Sequence, residues 1–422
     1  MRIAPALTLL ASFALAAVSS CAPAHAPVEL GVPARETARP GRVPDEFRAR
    51  VKRALAGYAD VADIPSVSVA VVDQGGLVYA ASVGYANRAQ HRPATPDTPY
   101  FIASVTKVFT ATLALMMASN GELDLDAPVS DYLPDTVRVP TDADGRQITS
   151  RHLLSHSAGL PKNPPNRRDL QPLGPINPGI WDTYSVQDLY DALAATRLEA
   201  AVGERFEYSN YGYALLGHVV ESAAGTTFEN LLRTRILDPL GMSDTAITLT
   251  PDLEQRLAAF YWGDDRDRTE RAERARFGEV AAFIGLTSTV NDLASFVAAY
   301  LRCPDGAVPI PCAGPQRIGE PFAQVDEDSV LRYEVGLGWF RLSRIDGTQT
   351  VLLHPGEVDG HTSSLLLLPS EGLGVIVLQN LGGGEAEAAA EQIGIWLLRT
   401  ASEELSGSHG SHERPAGSGP QP

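Results

Sequence analysis

The segments richest in β-forming residues stand near the two ends of the chain, and the segments with helical spacing lie between them. Near the start, SVSVAVVD (66–73) and LVYAASVG (77–84) flank a Gly-rich turn, which is typical of a hairpin. Near the end, RYEVGLGWFRL, QTVLLHP, HTSSLLLLP and GLGVIVLQN are short, apolar or β-branched, and bounded by Gly, Pro or Asp. We therefore predict an α+β fold, in which an antiparallel sheet built from both chain ends is flanked by helices, and the middle forms a helical lobe.

The helical segments have the apolar periodicity of packed helices. Phe47, Val51, Leu55 and Tyr58 recur at the spacing of one helix face, and a second helix is predicted from Ser104 to an Asn-Gly pair at 120–121. Further helices are predicted for SVQDLYDALAAT, NYGYALLGHVVESAAG, TFENLLRTRILDPLGM, TSTVNDLASFVAAYL and EAEAAAEQIGIWLLRTA. We expect the first and last helices on one face of the sheet, and a ligand cleft between the sheet and the lobe.

The N-terminal segment has the pattern of an export signal. MRIAPALTLLASFALAAVSSC places an arginine before an apolar run and small residues before Cys21. We predict a lipoprotein-type signal peptide over residues 1–20 and acylation of Cys21, so that a lipid holds the protein at a membrane surface. A plain secretory signal, cut within the following APAHA, is the alternative. A flexible Pro- and Ala-rich tether is predicted for 21–44, a globular domain for 45–402 and a disordered tail for 403–422.

The charge balance excludes one class of partner. The chain of 422 residues has a formal net charge of −17, whereas proteins that bind phosphate backbones carry basic surfaces. We therefore expect no nucleic acid partner.

Cys303 and Cys312 flank a Pro/Gly-rich loop, and in an exported protein they are a possible disulfide; two free thiols are the alternative. The sequence does not indicate an oligomeric state.

Ser104 and Lys107 carry the first sign of chemistry. The only lysines of the chain are Lys52, Lys107 and Lys162, and nearly all other cations are arginines. On a helix, residues i and i+3 are neighbours, so the hydroxyl and the amine can meet. A buried amine has a lowered pKa and can act as a base, which arginine cannot do. We therefore predict that Lys107 activates Ser104 as a nucleophile.

Three ordered motifs resemble those of the serine β-lactamase and penicillin-binding protein family, in its class C and esterase-like branch. Ser104-Val105-Thr106-Lys107 is similar to the family's S-x-x-K motif, and Tyr208-Ser209-Asn210 to its Tyr-x-Asn motif. His354-Pro355-Gly356 lies in the place of the third motif, which is Lys-Thr-Gly in β-lactamases and His-x-Gly in many relatives. The resemblance covers roughly residues 45–400 and implies a β-lactamase/transpeptidase-like fold.

The resemblance also implies a role for each matching residue. Ser104 would form the acyl-enzyme, Lys107 would take or relay its proton, and Tyr208 would activate water, with its pKa lowered by the nearby Lys107. Asn210 would bind a substrate amide and hold Lys107 in place. Two backbone N–H groups, one of them from Glu357 after the third motif, would form an oxyanion hole. Substrate-binding residues are therefore expected as follows: Asn210, His354, Gly356 and Glu357.

The third motif departs from the β-lactamase pattern. Lysine there helps to bind the substrate carboxylate in β-lactamases, whereas His354 is mostly neutral near pH 7 and Pro355 lacks a hydroxyl. We therefore predict a serine hydrolase that acts on an ester or amide of a small-molecule or peptide acyl substrate. One alternative is a D-Ala-D-Ala carboxypeptidase or β-lactamase. The other, of a different class, is a non-catalytic penicillin- or peptidoglycan-binding sensor.

The remaining histidines favour no metal site. His152 and His156 are four apart on a short predicted helix, but no third ligand accompanies them, so we interpret them as packing residues. His361, near the third motif, is interpreted as lining the cleft or lying at the surface. We expect neither a metal nor a cofactor, and we find no acidic residue in the sequence that is marked as a base for deacylation.

Overall fold

The computed structural model describes residues 35–167, 181–262, 269–271, 277–302, 324–325, 331–344, 349–358, 360–383 and 386–405. The strands, in chain order, are β1 (Arg35–Ala38), β2 (Ser66–Asp73), β3 (Gly76–Asn87), β4 (Arg92–Pro93), β5 (Tyr100–Phe101), β6 (Phe260–Trp262), β7 (Thr269–Arg271), β8 (Thr287–Ser288), β9 (Gln324–Val325), β10 (Leu331–Val335), β11 (Phe340–Arg344), β12 (Thr350–Val358), β13 (His361–Leu368) and β14 (Leu373–Gln379).

One antiparallel sheet joins the two ends of the chain. Its strand order is β1-β3-β2-β14-β13-β12-β11-β10-β9, and β4 pairs with β3. The joint lies between β2 and β14, where Ala70 is opposite Ile376 and Val71 is opposite Val375. Two small pairs, β5 with β8 and β6 with β7, lie outside this sheet. The prediction of an α+β fold with a sheet from both chain ends is confirmed.

The helices occupy the middle and the two ends of the chain. They are α1 (Asp45–Val61), α2 (Thr106–Ser119), α3 (Ser150–Leu154), α4 (Val186–Ala195), α5 (Asn210–Ala224), α6 (Phe228–Leu232), α7 (Asp238–Leu240), α8 (Pro251–Arg256), α9 (Val290–Leu301) and α10 (Ala386–Leu405). Helix α10 extends past the predicted domain end at 402, because Leu405 still packs in the core.

Two apolar cores lie on opposite faces of the sheet, as the alternation of β2 requires. Val69 and Val71 face the core that contains Phe47 of α1 and Leu397 of α10, so the first and last helices share one face as predicted. Ala70 and the other alternate residues of β2 face the larger core, which contains α2, α5 and α9. The helical lobe therefore packs on the face opposite α1 and α10.

Three local predictions were wrong. Residues 35–44 are not wholly a flexible tether, because Arg35–Ala38 pairs with β3 as an edge strand. The helix predicted from Ser104 begins instead with a 3-10 turn at Ala103–Val105, since β5 turns directly into it. The segment TFENLLRTRILDPLGM is broken by a π turn at Arg233–Leu237, next to a proline that cannot donate a helical hydrogen bond.

Several predictions fall outside the described residues. These are the signal peptide and the acylated Cys21, the Cys303 and Cys312 pair, and the tail from 406 onwards. In the part of the chain that the structure describes, no helix is both long and apolar enough to cross a bilayer.

Candidate active site

The turn that carries Ser104 packs against β12 and β13, two interior strands of the sheet. Ala103 adopts a positive φ of 49°, which is uncommon for a residue with a side chain. The backbone N–H of Ile102 donates to Leu286 of the segment before β8 at 2.9 Å, and the N–H of Val105 closes the 3-10 turn onto Ile102 at 3.1 Å. Ser104 is therefore presented by a strained turn fixed on both sides.

Lys107 lies directly behind Ser104, on the first turn of α2. Its Nζ donates to Ser104 Oγ at 3.1 Å and to the backbone oxygen of Phe283 at 2.8 Å. The side chain is fully buried, and this burial, with a smaller effect from the charge of Lys162, lowers the pKa of Lys107 well below its usual value. Burial therefore favours the neutral amine, which is the form that can act as a base.

Tyr208 closes the other side of the Lys107 amine. The Lys107 Nζ is 5.0 Å from the centre of the Tyr208 ring, and the Tyr208 hydroxyl interacts with the Ser104 side chain. The expected lowering of the Tyr208 pKa is wrong, however. Burial raises the pKa of Tyr208, while the interaction with Ser104 only partly opposes this shift. Tyr208 is thus a neutral hydroxyl rather than a standing phenolate.

His156 contacts the turn that carries Tyr208. Its Nδ1 accepts the backbone N–H of Ser209 at 3.0 Å, and its ring lies 4.5 Å from the Tyr208 ring. Burial, with the charges of Lys107 and His354, lowers the pKa of His156 well below its usual value, so the ring stays neutral. The packing interpretation of His152 also fits, because its ring is part of the capping box that begins α3.

Asn210 begins α5, although Ser209 and not Asn210 caps this helix: Ser209 Oγ accepts the N–H of Gly212 at 2.9 Å. The amide of Asn210 donates to Asn163 Oδ1 at 3.2 Å, and its own Oδ1 is buried without a partner among the described residues. Lys107 is therefore held by Phe283 rather than by Asn210. The unsatisfied amide oxygen is free to accept an N–H from a bound substrate.

The strand β12 approaches Ser104 through Gly356. A side-chain carbon at this position would lie 2.6 Å from the oxygen of Ile102, 2.7 Å from Ser363 Oγ and 2.9 Å from the nitrogen of Ser104. Only glycine fits, because real side-chain carbons do not approach so closely. Gly356 therefore lets the backbone of β12 lie beside the N–H of Ser104. The backbone N–H groups of Ser104 and Glu357 could then donate to one substrate oxygen.

His354 is buried near Lys107. Its side chain is 2% exposed, packs 5.2 Å from the ring of Phe340 and donates through Nδ1 to the oxygen of Pro355 at 2.7 Å. Burial and the nearby Lys107 lower the pKa of His354 to about 3. The third motif thus supplies a neutral buried ring and no cation, and substrate binding by His354 stays a prediction.

His361 is neither at the surface nor in the cleft. It is fully buried, accepts the N–H of Phe101 at 2.9 Å through Nδ1, and stacks on Phe260 at 4.4 Å. Burial lowers the pKa of His361 to about 3. Both interpretations made from the sequence were wrong, because its strand, β13, is covered on this face by β5 and β6.

Glutamates near the site carry no signal in the sequence. Glu387 stands at the start of α10, and burial together with the charge of Glu357 raises the pKa of Glu387 to about 7. Its charge also affects the pKa of Tyr208. Glu357 accepts the N–H of Gly383 at 2.6 Å. No motif marks Glu387, since only the pairing of the chain ends brings α10 to this side. Within the described ranges, no cluster of His, Cys, Asp and Glu could hold a metal ion.

Comparisons with known proteins agree with this geometry. A family model described as Beta-lactamase matches residues 51–399. Protein flp of Staphylococcus aureus (strain N315) is 25% identical over 359 residues, which is 85% of this chain and 68% of that protein. The D-alanyl-D-alanine-carboxypeptidase/endopeptidase AmpH of Escherichia coli (strain K12) is 27% identical over 302 residues, 67% of this chain and 71% of that protein.

Solved structures share the same fold. The octameric penicillin-binding protein homologue from Pyrococcus abyssi superposes with a TM-score of 0.67 at 25% identity, covering 85% of this chain and 79% of that one. A class C β-lactamase from Rhodobacter sphaeroides gives a TM-score of 0.64 at 24% identity, covering 83% of this chain and 99% of that one. With a family model that spans most of the sequence and a matching fold, the chain belongs to the β-lactamase family.

Proposed function

We propose that this protein is a serine hydrolase that forms an acyl-enzyme at Ser104 and hydrolyses an ester or amide. One observation carries the proposal: a fully buried lysine amine, whose pKa burial lowers, lies 3.1 Å from a serine hydroxyl. Burial disfavours the charged form of the lysine, so the amine can accept a proton. A serine hydroxyl needs such a base beside it to act as a nucleophile.

The first half of the reaction uses Ser104 and Lys107. Ser104 Oγ attacks the substrate carbonyl carbon while its proton moves to Lys107 Nζ. The resulting oxyanion accepts the backbone N–H groups of Ser104 and Glu357. The carbonyl then re-forms, the bond to the leaving alcohol or amine breaks, and the leaving group takes a proton from Lys107, directly or through Tyr208. The product of this half is an ester of Ser104.

The second half replaces the leaving group by water. Water attacks the Ser104 ester, its proton passes through Tyr208 to Lys107, and Ser104 leaves with that proton as the acid is released. Because the pKa of Tyr208 is raised, its hydroxyl works in this step as a relay between water and a neutral amine. The unpartnered Oδ1 of Asn210 would orient an amide of the substrate.

The neutral third motif favours esters and peptides over β-lactams. His354 provides no positive charge, so a carboxylate placed as in a β-lactam would have no cationic partner on β12. A D-Ala-D-Ala carboxypeptidase is the second candidate, and it is favoured by the likeness to AmpH.

We also propose, from the signal-like N-terminus, that the protein is exported and held at a membrane surface through a lipid on Cys21.

Covalent labelling tests the proposal. A neutral alkyl fluorophosphonate should react with the wild-type protein, with loss of fluoride, and mass spectrometry should locate the phosphonyl group on Ser104. Ser104→Ala should abolish the labelling. The control is Ser119→Ala at the far end of α2, where the hydroxyl only bonds to Leu115, and it should label normally. Labelling that persists in Ser104→Ala would refute the assignment.

A substrate panel then separates the candidates. Purified protein would be assayed with p-nitrophenyl esters, nitrocefin and peptides ending in D-Ala-D-Ala. Hydrolysis of the esters with little turnover of nitrocefin is the expected result. Turnover of the peptides alone would favour the carboxypeptidase, and labelling by a fluorescent penicillin without any turnover would favour a sensor.

A further inference from the structure

A short segment of the lobe is tied to the turn that carries Tyr208. Ser209 Oγ donates to the oxygen of Pro161 at 2.8 Å, and the backbone N–H of Asn210 donates to the oxygen of Lys162 at 2.9 Å. The Asn210 amide adds a third bond to Asn163 at 3.2 Å. Three hydrogen bonds over three consecutive residues fix the backbone of Lys162 beside the candidate active site.

The side chain of Lys162 differs from the other two lysines. Lys107 is buried behind Ser104, and Lys52 on α1 donates to Glu36 at 3.3 Å. Lys162 is exposed, and among the residues that the structure describes its ammonium has no hydrogen bond and no ion pair. Its backbone is therefore held firmly, while its charge is left without a partner.

The charge of Lys162 affects the pKa values of two groups that belong to different elements. After burial, it is the further cause that lowers the pKa of Lys107, which belongs to the Ser104 turn. It also lowers the pKa of Glu387 on α10, against the larger effects of burial and Glu357. An ammonium whose charge affects both Lys107 and Glu387, and whose backbone is bonded to the Tyr208 turn, lies toward the place where an acyl substrate must bind.

Nearby carboxylates do not satisfy this ammonium. Glu357 accepts the N–H of Gly383, and Glu391 on α10 is only 4% exposed. The charge of Lys162 lowers the pKa of Glu387, but the two side chains form no ion pair among the described residues. A carboxylate carried by the substrate would complete the pairing that the protein leaves open.

We propose that Lys162 is a specificity-determining residue whose ammonium binds a carboxylate on the acyl substrate of Ser104. This inference rests on the proposed hydrolase function and names its substrate class: esters or peptides that carry a carboxylate close to the reacting carbonyl. Lys162 supplies, from the lobe, the cation that His354 does not supply from β12. It takes no part in proton transfer.

Two matched esters test the inference. The p-nitrophenyl monoester of glutaric acid carries a carboxylate, and p-nitrophenyl valerate is a neutral ester of the same acyl length. The ratio of their kcat/KM values is measured, so that a general effect of a substitution cancels. Lys162→Gln should lower this ratio about tenfold, mainly through KM, because a charge-assisted hydrogen bond is lost. Lys162→Arg should retain most of the ratio.

Two controls make the result specific. Lys52→Gln removes an equal charge on the far helix α1, and the ratio should not change. Raising the salt concentration should lower the ratio in the wild-type protein and have little effect in Lys162→Gln, since exposed charges are screened by salt. Because the Lys162 hydrogen bonds use backbone atoms, these substitutions leave them in place.

The outcomes distinguish this inference from the proposed function. If fluorophosphonate labels Ser104 but Lys162→Gln leaves the ester ratio within about twofold of wild type, Lys162 does not select carboxylates and only this inference fails. The same holds if Lys162→Arg and Lys162→Gln lower the ratio equally, which would indicate a structural effect. If Ser104 is not labelled at all, the hydrolase proposal fails and this inference with it.

Discussion

At the scale of single residues, Lys107 shows how a functional group is made from an ordinary amine. A lysine in water is protonated, whereas the fully buried Lys107 meets only Ser104, the Phe283 carbonyl and three aromatic faces. The aromatic rings around it are those of Tyr208, Tyr213 and Phe283. Each unit by which the pKa falls costs about 1.4 kcal/mol of folding free energy at pH values below the folded pKa. Folding therefore loses stability to keep a base beside Ser104.

Lys107→Arg should separate charge from basicity. The guanidinium keeps a positive group in place but cannot lose its proton, so we expect kcat/KM for a p-nitrophenyl ester to fall at least about a hundredfold. Steady-state kinetics, corrected for active sites by fluorophosphonate labelling, provide the measurement. Lys52→Arg on the outer helix is the control and should be unaffected. Near-normal turnover in Lys107→Arg would show that the amine is not the base.

At the scale of elements, the site depends on how closely β12 approaches the Ser104 turn. Gly356→Ala should lower kcat about tenfold to a hundredfold, because the added carbon would meet backbone atoms of Ile102 and Ser104 and move the strand away. Gly374→Ala on β14 is a matched control: its added carbon meets Val297 Cγ1 at 2.4 Å in the core, far from Ser104. Both variants should lose melting temperature, but only Gly356→Ala should lose kcat. Equal losses of kcat would contradict this interpretation of Gly356.

Besides Glu387, helix α10 carries another buried ionisable group, Glu391, which is 4% exposed. Burial, with the charge of Glu387, raises the pKa of Glu391 from 4.5 to about 8. Between these values the unfolded chain is ionised while the folded protein keeps its proton, so stability falls as pH rises through this window. Glu391→Gln should remove this fall and raise the free energy of unfolding at pH 8 by about 1–3 kcal/mol.

Urea denaturation at pH 5 and pH 8 measures the effect of Glu391→Gln. The control, Glu403→Gln, removes an exposed carboxylate that pairs with Arg399 on the same helix, and should change stability by less than about 1 kcal/mol at either pH. An equal gain of stability for Glu391→Gln at both pH values would mean that ionisation is not the cause.

At the scale of the whole molecule, the last helix closes a core that begins at the first one. Phe47 of α1 and Leu397 of α10 share one apolar cluster with Val69 of the central strand. A chain that ends before Ala386 would expose this face of the sheet and should not fold, as measured by near-ultraviolet circular dichroism and solubility. A chain that ends after Leu405 should fold and label like the full chain. Folding of the shorter chain would show that α10 is dispensable.

The sequence predicted the elements and motifs better than their surroundings. The hairpin β2–β3, the helices α1 and α5 and the late strands follow from local apolar periodicity and turn residues. Ser104 and Lys107 were found because their contact spans three residues of one turn. Glu387 and His156 were missed as neighbours of the site, since each reaches it from a distant segment and neither stands in a motif.

By itself, the sequence determined the fold class, the family and the pair of Ser104 and Lys107, because these depend on local patterns and on the order of motifs along the chain. Only the tertiary structure decided the ionisation and access of the groups. It made Lys107 a buried amine, made His354 and His361 neutral core rings, and left Lys162 exposed, with no partner for its ammonium among the residues that the structure describes. Burial sets these properties, and it arises from contacts between segments that lie far apart in the sequence.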